Sequence, residues 1–165
     1  MKKNVSSLFQ VMSLTVVLSL IAPLMTQAQA GKTNFSGTWA FNAEKSTLPE
    51  GGGGQRMGGG DLTITQDANT MTQSRTGRDG TARETKYILD GKEDVNTTGR
   101  GEMKYTAKWS ADGKTLTIVT KFSFNDNERT STAVWSLTDA KTLSIVSTRQ
   151  GQDGEVKTTM VYDKK

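Results

Sequence analysis

Cysteine and histidine are both absent from the 165 residues. Their absence excludes Cys/His zinc sites, haem held on His or Cys, iron–sulfur clusters, cysteine nucleophiles, Ser-His-Asp triads and disulfides. Oxygen-ligand sites for Ca²⁺ or Mg²⁺ survive that cut. Proline is scarce, at Pro23 and Pro49 alone, and hydrophobic residues make up only 33%. That is a low value even though the usual ~45–50% also counts glycine. No G-x-S-x-G occurs, and no stretch after residue 30 carries a 3.6-residue apolar period.

The one long apolar run lies at the start. Lys2 and Lys3 precede it, Val11 to Met25 is interrupted only by Ser13, Thr15 and Ser19, and Ala28-Gln29-Ala30 supplies small residues at −3 and −1. This is the pattern of a secretory signal peptide over residues 1–30, with cleavage expected after Ala30. The rival reading is a membrane anchor, but the run is shorter than the ~20 residues a span requires. The expected product is an exported protein, periplasmic or extracellular, with no membrane span. Without cysteine it cannot carry a lipid on an N-terminal Cys.

Removal of 30 of the 165 residues, Lys2 and Lys3 among them, leaves 135, with 19 basic against 17 acidic side chains. A net charge of +2 makes no case for nucleic acid, which calls for a clustered basic stripe. One domain of this size, residues 31–165, buries roughly two-thirds of its unfolded surface.

Those residues are rich in Thr and fall into short segments of alternating polarity. The alternation predicts ten strands, at 35–41, 61–67, 70–76, 81–90, 93–98, 102–110, 114–124, 128–138, 141–150 and 155–163. Met103, Tyr105, Ala107 and Trp109 alternate with Lys104, Thr106 and Lys108, while Leu116, Ile118, Thr120, Phe122 and Phe124 share one phase. Period two with β-branched and aromatic enrichment marks half-buried strands. A weak repeat links Trp109-Ser110 and Lys114 to Val119 with Trp135-Ser136 and Lys141 to Val146, as a repeated hairpin would. The expected fold is all-β, an up-and-down antiparallel meander of 8–10 strands closed into a barrel, because closure removes both sheet edges. An even count lets the first and last strands pair antiparallel. A β-sandwich is the alternative. The tract Gly51 to Gly60, inside a loop spanning 48–60, lacks the Lys-Ser/Thr ending of a phosphate-binding loop and reads as a flexible connection.

In a meander successive turns alternate between two ends. Asp67-Asn69, Asp90-Lys92, Asp112-Lys114 and Asp139-Lys141 fall at one end and have tight-turn chemistry. The other end receives the glycine tract and every arginine: Arg56, Arg75, Arg78, Arg83, Arg100, Arg129 and Arg149. Arg75, Arg83, Arg129 and Arg149 lie in phase with inward apolar residues, whereas Lys86, Lys104, Lys108, Lys121 and Lys157 lie on the outward phase. A guanidinium presents a planar fork of donors suited to carboxylate, sulfate or phosphate. An amphipathic anion could place its head near those arginines and its tail among Tyr87, Tyr105, Trp109, Phe122 and Trp135. A structural rim competes with this reading, since Asp79, Glu84, Glu102, Asp126, Glu128, Asp153 and Glu155 share that end. Gln73, Thr85, Thr120, Ser131, Ser147 and Thr158 also fall on the inward phase, which favours a solvated or ligand-filled interior over a dry one.

Gly37-Thr38-Trp39 stands just before this run of hairpins, and with Leu62 to Asp67 and Asp112 to Leu116 the chain resembles the secreted bacterial lipocalin-like domains of the calycin superfamily over most of residues 34–163. The resemblance implies a barrel that binds a small hydrophobic molecule, with Gly37 and Trp39 sealing its closed end. It also implies a basic residue beside Trp39, for which Lys164 is the nearest candidate. No helix follows the last predicted strand, and ten strands suit fatty-acid-binding barrels better in number, with the glycine tract in place of their two-helix lid.

The expected function is a monomeric exported binder of a small hydrophobic or amphipathic anionic ligand, needing no cofactor and no metal. The alternative is an envelope-associated module that binds a protein or a glycan without a small-ligand cavity. An enzyme would need carboxylates such as Glu44, Glu50 and Asp61, but nothing fixes their separation. Asn125-Asp126-Asn127-Glu128 lacks the ligand spacing of a calcium loop and reads as a turn.

Overall fold

Strand residues of this chain carry a side chain worth burying at every second position, and among the described residues the regular secondary structure is strand alone. In the computed structural model the described residues are 31–49, 60–76, 81–98, 101–124, 127–151 and 154–165. The expected cleavage site, nearly all of the glycine tract, Arg56, Arg78 and Arg100 lie outside them. The strands are β1 (Gly37–Thr47), β2 (Leu62–Gln66), β3 (Thr70–Thr76), β4 (Ala82–Ile88), β5 (Glu93–Thr98), β6 (Gly101–Trp109), β7 (Thr115–Phe124), β8 (Asn127–Asp139), β9 (Thr142–Gly151) and β10 (Gly154–Lys164).

All ten belong to one antiparallel sheet in the order β4-β3-β2-β1-β10-β9-β8-β7-β6-β5, an up-and-down meander rolled into a nearly closed barrel. The first and last strands pair, with Phe41 opposite Tyr162 and Asn42 opposite Val161. The remaining gap falls between β4 and β5. Asp90-Lys92 is therefore a tight turn, with Lys92 N donating to Asp90 Oδ1, but not the hairpin that its likeness to the other turns suggests. Leu89 N donates to Asn69 O instead, which draws the end of β4 along the β2–β3 turn and away from β5.

Inside, the alternating set forms one core: Trp39, Leu62, Ile64, Met71, Tyr87, Tyr105, Leu116, Ile118, Trp135, Leu143, Ile145 and Tyr162 are all buried. The leucines, isoleucines and Met71 of this set each contribute roughly 1.5–3 kcal/mol by leaving water. The predicted outward lysines are indeed exposed. One expectation shifts: the first strand begins at Gly37 and runs on to Thr47. Residues 31–36 instead cross the end of the barrel. Thr33 N donates to Gly113 O, Thr33 Oγ1 to Lys114 O, and Phe35 N to Gln66 Oε1. Gly113, at φ +69°, permits this crossing, since a Cβ there would lie 2.5 Å from Gly31 O.

Candidate functional site

The pole that carries the short turns is packed shut. Trp39 has no exposed surface, and its Nε1 donates to Phe35 O at 2.9 Å. Phe35 stacks on Trp109 with centroids 5.7 Å apart and meets Trp135 edge-on at 6.1 Å. Lys164 Nζ lies 5.3 Å above the Trp39 ring, the basic neighbour that the resemblance implies. Gly37 leaves room for that lysine, whose Cε would lie 3.1 Å from an added Cβ. Trp109 and Trp135 thus help to build the floor with Phe35, in addition to facing inward as the sequence predicts.

The short turns repeat one device. Asp67 Oδ1 accepts from the Asn69 and Thr70 amides, Asp112 from Ser110 Oγ and the Lys114 amide, and Asp139 from the Lys141 amide. Bonds from the Asn69 backbone (Asp67), the Ser110 hydroxyl (Asp112) and the Lys141 backbone (Asp139) hold these carboxyls below their ordinary value of 3.8.

At the opposite pole the register places Arg75 directly across from Arg83, Arg129 across from Phe122, and Arg149 across from Ser131. The four predicted guanidinium positions therefore share one end of the barrel. They are not equivalent. Arg83, Arg129 and Arg149 are exposed, while Arg75 is half-buried. Its Nη1 donates to the Tyr162 hydroxyl at 2.9 Å, and its guanidinium carbon lies 5.7 Å from the Tyr162 ring. Tyr162 stands on β10, with β1 and β2 between it and β3, so Arg75 reaches across the interior.

Below Arg75 runs a band of polar groups. Gln73 Nε2 donates to the Tyr87 hydroxyl at 3.2 Å. Tyr87 and Tyr105 pack edge to face, 5.1 Å apart. The Tyr105 hydroxyl accepts from Ile88 N at 2.9 Å and donates to Asp94 Oδ2 at 3.1 Å, and Asn96 Nδ2 donates to Lys86 O at 2.8 Å. These side chains span the gap between β4 and β5 where backbone pairing fails. Burial pushes the Tyr87 phenol up to about 12, although the positive charge of Arg75 pulls the other way, so it stays a neutral hydroxyl at any physiological pH. Gln73 Oε1, Trp109 Nε1 and Trp135 Nε1 are buried without a protein partner. An unmade hydrogen bond in such a place costs about 1–3 kcal/mol.

The five predicted aromatic site residues all face the interior. Tyr87, Tyr105 and Trp135 are buried, Trp109 and Phe122 half-buried. Tyr162 and Phe35 belong with them and were missing from the sequence-derived set. Period two puts Tyr162 in phase with Thr158 and Met160, which was signal enough. Of the carboxylates weighed for catalysis, Glu44 is exposed and Asp61 pairs with Lys165 at 2.5 Å, while Glu50 lies outside the described residues. Among the described residues no group of three acidic side chains could hold a metal ion.

No family model matches the sequence, and no curated protein matches it. Solved structures do. A zebrafish ileal bile acid-binding protein, crystallised with cholic acid, superposes with a TM-score of 0.58 at 20% identity, over 79% of this chain and 98% of that one. A secretory abundant heat soluble protein from Ramazzottius varieornatus gives 0.58 at 13% identity, over 79% and 95%. Ten strands exceed the eight of a lipocalin, and what the chain shares with these proteins is the fold, a nearly closed up-and-down β-barrel.

Proposed function

We propose that residues 31–165 form a binding protein for a small hydrophobic or amphipathic anion held inside the barrel, its acidic head at Arg75 and its tail toward Tyr87, Tyr105, Phe122 and Trp135. The observation that carries this reading is the half-buried guanidinium of Arg75, drawn across the interior onto Tyr162 above a wall of aromatic rings. A guanidinium so placed keeps free donors for a carboxylate or sulfonate, and desolvation strengthens the pairing. Arg83, Arg129 and Arg149 would form an outer ring that attracts the anion toward the mouth. The likeness to a bile acid-binding protein crystallised with cholic acid supports the same ligand class. Residues 1–30 would export the protein, and N-terminal sequencing of the released chain should begin at Gly31.

Titration with long-chain fatty acids and bile acids, read by tryptophan fluorescence and calorimetry, tests the binding. Arg75→Met should weaken every acid by about tenfold or more and leave the corresponding uncharged alcohols unaffected. Equal loss for acids and alcohols would remove Arg75 from the head-group site. A second reading, a module for a protein or glycan partner, draws on Ile88 and Val95. Both are exposed, apolar, and set on either side of the β4–β5 gap. A stoichiometric complex lost in Ile88→Lys would favour it.

A further inference from the structure

We infer that the barrel selects an anion bearing a hydroxyl group a short way behind its acidic head, and that Gln73 is the residue that reads it. The inference rests on the anion-binding reading above and adds the chemistry of the ligand's second polar group. Gln73 lies on β3 with its side chain facing inward, across from Ile64 on β2 and Thr85 on β4. Only one end of its amide is used by the protein, in the bond to the Tyr87 hydroxyl, and the other end is buried without a partner. A leucine or methionine would fill the same place among Met71, Ile64 and Tyr87 without the partnerless amide end, at the cost of the bond to the Tyr87 hydroxyl.

The amide is also held in place. Tyr87 is braced by the Tyr105 ring, and Tyr105 in turn is fixed by Ile88 N and Asp94. A polar group fixed in this way before the ligand arrives loses little freedom on binding, which is what a discriminating contact needs. A hydroxyl both gives and takes a hydrogen bond, so it satisfies the free end of the amide whichever atom is turned toward it. An unsubstituted chain would cover that amide without replacing the missing bond, and such sites discriminate strongly against the ligand that lacks the group.

Spacing sets where the hydroxyl belongs. Arg75 and Gln73 are two residues apart on one face of a strand, roughly 6–7 Å. Gln73 lies on the side of the turn pole, because β3 begins just after the turn at 67–69. The hydroxyl should therefore sit roughly 6–7 Å along the ligand from the acid group.

Four acids with the same carbon skeleton test this on the full chain: octadecanoate, 6-hydroxyoctadecanoate, 12-hydroxyoctadecanoate and 6-oxooctadecanoate. Affinities are measured by calorimetry for the native protein, Gln73→Leu, Gln73→Met and Arg75→Met. The native protein should bind the 6-hydroxy acid about tenfold or more tightly than the plain acid. Gln73→Leu and Gln73→Met should erase that preference while still binding the plain acid. Arg75→Met should weaken all four acids alike and keep their ranking. Equal binding of plain and 6-hydroxy acids by the native protein, or a preference that survives both Gln73 variants, would overturn the inference and leave the anion-binding reading standing. No binding of any acid would overturn both. If one Gln73 variant fails to fold, the other variant and the native ranking decide the matter.

Discussion

The two poles of this barrel are built from the same strands and solve opposite problems. The turn pole bonds Trp39 to Phe35 and stacks Phe35 on Trp109, ties the crossing segment at residues 31–36 to the turn at 112–114 and to Gln66 at the end of β2, and anchors three turns with aspartates. The arginine pole carries like charges directly opposite one another, Arg75 against Arg83, an arrangement that destabilises a sheet unless something else offsets it. A pole that spends its side chains on its own backbone has none left for a guest. At the other pole Arg75 is held by the Tyr162 hydroxyl, a side chain rather than a turn of the backbone, which is the arrangement the proposed anion site uses. On the proposed function, one sheet divides stability from recognition along its length.

The largest break in that contrast should come from Trp39→Ala, which removes a fully buried ring and its bond to Phe35. Unfolding in urea should lose about 3–5 kcal/mol, and a loss below about 1 kcal/mol would mean that the turn pole is not the seat of stability. Arg75→Met should act in the opposite sense, weakening acid binding by about tenfold or more while shifting the urea midpoint far less than Trp39→Ala does. Tyr105→Phe addresses the wall between the poles. It leaves Ile88 N without its partner and should cost about 1 kcal/mol, with hydrogen exchange at the Ile88 amide accelerating before that of β1 and β10. Uniform acceleration over the whole barrel would mean that the β4–β5 gap is not an independently opening seam.

The smallest effect should be the pH dependence of the turns. Asp67, Asp112 and Asp139 are held below 3.8 in the folded chain, so the folded state favours their ionised forms. That contribution is fully present above the unfolded value and is lost as pH falls through 3.8 toward the lower folded values. Stability measured between pH 6 and pH 2 should decline in that window. Asp67→Asn combined with Asp112→Asn should make the decline shallower, because the amide accepts the same turn bonds without titrating. An unchanged slope would place the acid sensitivity elsewhere, for instance in Asp163, whose carboxyl is lowered by its bond to the Lys45 ammonium.

Much of this arrangement could be read from the chain, and the exceptions have physical causes. Alternation in Met103 to Trp109 and in Leu116 to Phe122 identifies strands because a half-buried sheet imposes period two on whatever sequence forms it. The same alternation assigned the inward face to Gln73 and Arg75 and the outward face to Lys86 and Lys104. It did not reveal that β4 and β5 remain apart, since Asp90-Lys92 has the same local chemistry as the turns that close hairpins. Nor did it separate Phe35 from the first strand, because an aromatic residue beside Gly37-Thr38-Trp39 suits a strand and a plug equally well. Arg75 and Tyr162 meet from positions 87 residues apart, on strands that are not neighbours.

Composition and periodicity alone determined that this protein is a meander of half-buried antiparallel strands, with aspartate turns gathered at one end and Arg75, Arg83, Arg129 and Arg149 at the other, because those features depend only on local backbone preference and on the parity of strand phase. Tertiary structure decided which guanidinium turns inward, where the wall stays unpaired, and which buried amide keeps a free end. These depend on barrel closure, which brings together side chains from non-neighbouring strands, and no local pattern in the chain encodes that meeting.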